Sequence, residues 1–124
     1  MRLTVVIISA ITILVAGRIG AAEPTDVGMV QLLANPEKFH GKFIRVEGFL
    51  RLEFEGDALY LHKEDYANGL TKNAVWVDMP QDTQHTKLNM HYVLIEGVFD
   101  AKDLGHMGLF SGSIGKISRA IAWK

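Results

Sequence analysis

The chain has 124 residues, of which 48% are hydrophobic and 22% are charged, and its formal charge is −1. These values are typical of one globular domain, and 13 basic against 14 acidic residues leave no overall basic field to attract nucleic acid or an anionic membrane. Cysteine is absent, which excludes disulfide bonds, thiolate nucleophiles and zinc–thiolate sites.

The first segment predicts a secretory signal peptide over residues 1–22. An early arginine precedes the almost wholly apolar run Leu3–Gly17, and small residues before the predicted cut favour cleavage after Ala22. The alternative is a membrane anchor, but fifteen apolar residues fall short of the roughly 20 that span a hydrocarbon core. Cleavage removes Arg2 and Arg18, which leaves 11 basic and 14 acidic residues and a net charge of −3. We therefore expect a periplasmic or secreted protein without stable membrane insertion.

The mature domain, residues 23–124, is predicted to begin with a short helix over about 27–34. Its apolar positions at helical spacing are Val27, Val30, Leu33 and Ala34. Asp26 stands where an N-cap would be, and Asn35-Pro36 ends the helix because the residue before proline is pushed out of the helical region. So short a helix is not stable by itself, so its apolar stripe is expected to dock on the domain.

The segment Lys42–Phe54 predicts a long strand with one buried and one solvated face, because apolar residues alternate with charged and aromatic ones. Gly48 lies at the centre of the apolar set, which predicts a bend in the strand there. The same pattern recurs around Gly97 in the run Ile95–Val98. Two long strands, each bent at an inward glycine, favour a small closed barrel.

Four further strands are predicted, at Ala58–His62, Ala74–Met79, His91–Asp100 and about Ser113–Ile121. The first two are joined by the polar loop Lys63–Asn73, which has room for one helical turn. Gln81–Asn89 is too short and polar for more than a turn, and Ala101–Gly112 is rich in glycine.

This order of elements resembles the oligonucleotide/oligosaccharide-binding (OB) fold, in particular the small exported OB-fold proteins of bacteria. The stretches that carry the resemblance are Phe43–Leu50, Ala58–Leu61, Val93–Phe99 and Gly112–Ile117. The resemblance implies a mainly β protein, a five-stranded antiparallel OB-like barrel with a short helix before its first strand. It also implies binding on the face centred on the second and third strands and on the loops beside it.

Outward side chains on that face are the first candidates for contact with a ligand or partner: Arg45, Phe49, Arg51, Tyr60, His62 and Trp76. Aromatic rings beside guanidinium groups can stack on bases or sugars and pair with anions. The alternative is that the aromatic side chains are covered, by the N-terminal helix or by a protein partner. In the glycine-rich loop, His106 and Phe110 are further candidates, the alternative being that Leu109 and Phe110 plug the end of the barrel.

Catalysis is not expected, because no serine lies in a nucleophile elbow and no carboxylate pair is spaced for acid–base work. The five histidines form no pair at helical spacing, so neither a metal nor a cofactor is expected. The sequence therefore predicts an exported, non-catalytic binding or interaction module whose partner is a protein or a small anionic ligand. The alternative is a nucleic-acid-binding OB domain, which the mature net charge of −3 disfavours because such binding depends on phosphate neutralisation.

Overall fold

Six strands form one sheet in a computed structural model, which describes residues 2–4 and 22–123. Their bounds are β1 Thr25–Asp26, β2 Phe43–Arg51, β3 Ala58–Tyr60, β4 Ala74–Val77, β5 His91–Asp100 and β6 Ser113–Ala122. Most of the predicted signal peptide lies outside the described residues. No helix in the described part of the chain is long and apolar enough to cross a bilayer.

The strands β2 to β6 close into a mixed five-stranded barrel in the order β2-β3-β4-β6-β5, and β5 returns to pair with β2. The predicted OB-like, mainly β fold is confirmed, but the prediction that all pairs are antiparallel is wrong. The strands β4 and β6 run parallel, with Trp76 opposite Ser113. A ring of five strands cannot alternate direction at every step, so one neighbouring pair has to be parallel.

Alternate residues of these strands fill the interior of the barrel, as the period-two pattern predicts. Ten of them are almost fully buried: Ile44, Val46, Leu50, Leu59, Val75, Val77, Val93, Ile95, Phe99 and Ile114. The long strand β2 ends at Arg51, three residues earlier than predicted. Beyond it the backbone N–H of Leu52 donates to Asn89 Oδ1 (2.8 Å) and that of Glu53 to Asp57 Oδ1 (3.0 Å), so this backbone leaves the ladder.

Gly48 and Gly97 lie where a neighbouring strand passes too close for a side chain. A Cβ at Gly48 would stand 2.7 Å from the carbonyl oxygen of Tyr60, and one at Gly97 would stand 2.7 Å from that of Gly115. The pairing of β5 with β6 shifts register between Glu96 and Val98, around Gly97. Both glycines are therefore required because the backbone of a neighbouring strand approaches them closely.

Two short helices, α1 (Met29–Ala34) and α2 (Pro36–Phe39), precede the barrel, and they bury Met29, Leu32 and Phe39 in its core. The predicted stripe was correct in part: Val27 is buried and Leu33 packs against the core, but Val30 is 65% exposed and Met29 and Leu32 are buried instead. Asp26 is not the N-cap either. It belongs to β1, which pairs in parallel with β2, and Gly28 is the residue that caps α1.

The two connections predicted to hold single turns each form one, α3 (Lys63–Ala67) and α4 (Thr83–Thr86). Short 3-10 turns follow at Thr71–Asn73 and His106–Gly108. Of these elements, α3 and the long β5–β6 connection lie beside the outer face of the barrel, where they contribute Tyr66 and Phe110.

Candidate functional site

The aromatic side chains predicted to face a ligand are covered. Phe49, Tyr60 and Phe110 are 2%, 4% and 3% exposed, and with Ala58 and Ala74 they form a second apolar cluster on the outer face of the barrel. Burial raises the pKa of the Tyr60 hydroxyl above its ordinary value. These three aromatic residues therefore stabilise the fold and are not available to a ligand.

The cover is α3, and not the N-terminal helix that the sequence suggested. Tyr66 of α3 packs edge-on against Tyr60, with ring centroids 5.5 Å apart, and lies 6.2 Å from Phe49. The buried carboxylate of Asp65 fixes the segment, because it accepts the backbone N–H of His62 (2.9 Å) and the side-chain amide of Asn73 (3.0 Å). His62 is thus an exposed residue immediately before α3.

Both candidate arginines are engaged within the protein. Arg45 donates from Nε to Glu96 (2.8 Å) and from a terminal nitrogen to Asp26 (3.2 Å), and its hydrogen bond with Glu96 raises the pKa of the guanidinium. Arg51 donates from Nε to the hydroxyl of Tyr66 (2.9 Å) and so ties α3 to β2. Neither guanidinium is free to bind an anion.

An open cleft of about 600 Å³ remains where three segments meet: the β2–β3 connection, the end of β4 and the β5–β6 connection. This is the place where the OB fold usually binds its ligands. Two predicted candidates, Trp76 and His106, line it. Trp76 packs edge-on against the buried Phe110 at 5.6 Å, which fixes its ring at the side of the cleft.

The cleft is acidic. Five carboxylates line it and no lysine or arginine does: Glu53, Glu55, Asp57, Asp78 and Asp103. Burial raises the pKa of Asp57, and the charges of Glu53 and Asp78 raise it further. Nε2 of His106 lies 3.2 Å from Oε2 of Glu55, so a protonated His106 partly offsets the negative charge of the cleft. A cationic group would therefore be favoured here and an anionic one repelled.

The cleft also presents apolar surface. The side chain of Phe54 is 91% exposed at its edge, and Met107, beside His106 in the β5–β6 connection, is 81% exposed. Gly105 has a φ of +69°, and a Cβ there would stand 2.8 Å from Cβ of Trp76, so only glycine lets the loop approach this closely. Exposed large apolar side chains such as Phe54 and Met107 are common at protein contact sites.

The acidic residues of the cleft were missed by the sequence interpretation. Three of them alternate in the run Glu53–Asp57, a signal that could have been noticed beside the predicted hairpin. Asp78 and Asp103 join them only because the chain folds the end of β4 and the β5–β6 connection together. Within the described residues, no group of three or more histidine, aspartate or glutamate side chains is placed to hold a metal ion.

No protein-family model and no curated protein sequence matches this chain. Among solved structures, it is similar to a DUF3299 family protein from Pseudomonas aeruginosa PAO1. The two share a fold. The TM-score is 0.58, the sequence identity is 12%, and the match covers 83% of this chain and 98% of the other. At this identity the likeness shows the fold alone.

Proposed function

We propose that this chain is an exported, non-catalytic interaction module that binds a basic, partly apolar segment of a partner protein in the acidic cleft. Export rests on the signal-peptide pattern of residues 1–22. The observation that carries the rest is that five carboxylates, one histidine and no lysine or arginine line the cleft at the usual ligand position of an OB-like barrel.

The charge of the cleft supports one of the partner classes that the sequence left open, a protein, over the two anionic ones. A small anionic ligand or a nucleic acid would bring negative charge close to the five carboxylates of the cleft. These already repel one another, because the charges of Glu53 and Asp78 raise the pKa of Asp57. Lysine or arginine side chains of a protein would be attracted instead, and apolar side chains beside them could contact Phe54 and Trp76. A basic and partly apolar protein segment satisfies both features.

Selection from a library of random displayed peptides tests this proposal. The wild-type protein should enrich peptides that combine lysine or arginine with large apolar residues, and their affinity should fall as salt rises. The triple variant Glu53→Gln, Asp57→Asn, Asp78→Asn should bind the selected peptides at least about tenfold more weakly, because it neutralises three of the five carboxylates.

The matched control is Glu23→Gln, Glu37→Gln, Glu64→Gln, which changes the net charge equally at three exposed positions outside the cleft. It should retain wild-type affinity. Equal losses in the two triple variants would show a non-specific charge effect and would refute the cleft as the site. Binding of labelled single-stranded DNA at low salt would also overturn the proposal, in favour of the nucleic-acid alternative.

A further inference from the structure

A second groove, separate from the acidic cleft, lies between α1 and the end of β6. It has a volume of about 300 Å³, and its lining is mainly apolar. Three large apolar side chains around it are partly exposed: Val30 (65%), Tyr92 (38%) and Trp123 (44%). Single exposed apolar side chains are ordinary on a protein surface, but three around one groove indicate a contact site.

The groove contains one carboxylate, that of Glu47, on the outer face of β2. Its neighbours on this face, Asp26 and Glu96, both form ion pairs with Arg45, and Arg119 also reaches Glu96. Glu47 takes part in none of the ion pairs or side-chain hydrogen bonds found among residues 2–4 and 22–123. Among the residues that the structure describes, Glu47 therefore has no ion-pair partner, and it lies in a mainly apolar groove that also contains the imidazole of His62.

Besides Glu47, the side chains of the groove that can accept a hydrogen bond are those of His62 and Tyr92. The hydroxyl of Tyr92 already accepts the backbone N–H of Lys63 at 3.2 Å. A primary ammonium group has three N–H donors to satisfy, and the mainly apolar lining offers it few side-chain acceptors beyond Glu47 and His62. A quaternary ammonium group has none, and it is attracted both by aromatic faces, tryptophan best of all, and by a nearby carboxylate.

We propose that this groove binds a small soluble quaternary ammonium compound, with Trp123 and Tyr92 contacting its methyl groups and Glu47 acting as the counter-ion. The proposal is independent of the one made for the acidic cleft, because Trp123 and Glu47 do not line that cleft. It also predicts a specificity. Choline should bind better than glycine betaine, whose carboxylate would bring a second negative charge near Glu47.

Titration by two-dimensional NMR tests the proposal, because the side-chain N–H signals of the two tryptophans report separately on the two sites. Choline and tetramethylammonium should shift the signal of Trp123 and leave that of Trp76 in place. The probe 3,3-dimethylbutan-1-ol has the shape of choline without its charge, so it should bind more weakly. Trp123→Leu and Glu47→Gln should each weaken choline binding by about two- to thirtyfold.

Two control variants match these changes. Ile121→Ala removes a partly exposed apolar side chain near Trp123 in sequence but outside the groove, and Glu37→Gln neutralises an exposed glutamate elsewhere. Both should bind choline like the wild type, and dispersed spectra will show that every variant is folded. Equal affinity for choline and its neutral analogue, or unchanged binding by Glu47→Gln, would overturn the proposal, as would a shift confined to Trp76.

Discussion

Gly48 and Gly97, at which a neighbouring strand approaches closely, allow a quantitative test of the packing of the barrel. In Gly48→Ala the new Cβ would stand 2.7 Å from the carbonyl oxygen of Tyr60 and 2.8 Å from Cγ of Leu59. Ordinary carbon contacts lie at about 3.5 Å or more, so the backbones must separate by several tenths of an ångström. Overpacking of this kind costs about 1–3 kcal/mol, and because the nearest atom belongs to rigid backbone we expect the upper part of that range.

Gly97→Ala should behave similarly, because its Cβ would stand 2.7 Å from both the carbonyl oxygen of Gly115 and Cγ2 of Ile114. Gly115 itself provides the matched control. It is also a strand glycine, but a Cβ there would have no atom within 4 Å and its φ is not positive. Gly115→Ala should leave stability unchanged or raise it by up to about 1 kcal/mol, because alanine lowers the entropy of the unfolded chain.

Urea unfolding followed by circular dichroism measures these differences. With a slope of about 2 kcal/mol per molar, a loss of about 2 kcal/mol lowers the midpoint by about 1 M. The slopes of the three variants should match that of the wild type, which shows that the native fold is kept. If Gly48→Ala unfolds at the same urea concentration as Gly115→Ala, the close approach of the strands is not the reason for glycine at position 48.

Two further predictions concern the cleft and its surroundings. Phe110→Ala should lower the free energy of unfolding by about 3 kcal/mol, because it empties a buried site next to Trp76. It should also shift tryptophan fluorescence to longer wavelength. An unchanged urea midpoint would show that the β5–β6 connection does not depend on this ring. Asp57→Asn should raise the urea midpoint at pH 7, because folding raises the pKa of Asp57 and so disfavours its charged form. This gain should fade as the pH decreases through the raised pKa towards 3.8, and a lower midpoint at pH 7 would show that the hydrogen bond from Glu53 outweighs burial.

Much of the barrel could be predicted because its signals are local. Period-two alternation located all five barrel strands, and β5 has the predicted bounds His91–Asp100. The ends of the strands were predicted less accurately where a side chain distant in sequence takes over the backbone hydrogen bond. Asn89 does so beyond Arg51, where its Oδ1 accepts the backbone N–H of Leu52. The two-residue strand β1 was missed, since its only support is its pairing with β2 far along the chain.

The candidate site was predicted less well, because exposure is not a local property. Outward alternation correctly placed Phe49 and Tyr60 on the outer face, but whether that face is open depends on where Tyr66 lies. The charge pattern of Arg45 and Arg51 suggested anion binding, yet their partners Glu96 and Tyr66 are distant in sequence. Two of the eight candidates, Trp76 and His106, lie together in the open cleft.

The sequence by itself determined the strands, the inward glycines at positions 48 and 97, and the short helix before the barrel, because periodicity and backbone preference act over a few residues. Only the tertiary structure decided that β4 and β6 run parallel, that α3 covers the aromatic face, and that the carboxylates of three separate segments line one cleft. Closure of a five-stranded ring and the convergence of distant loops are properties of the whole chain. The acidic cleft arises from that convergence.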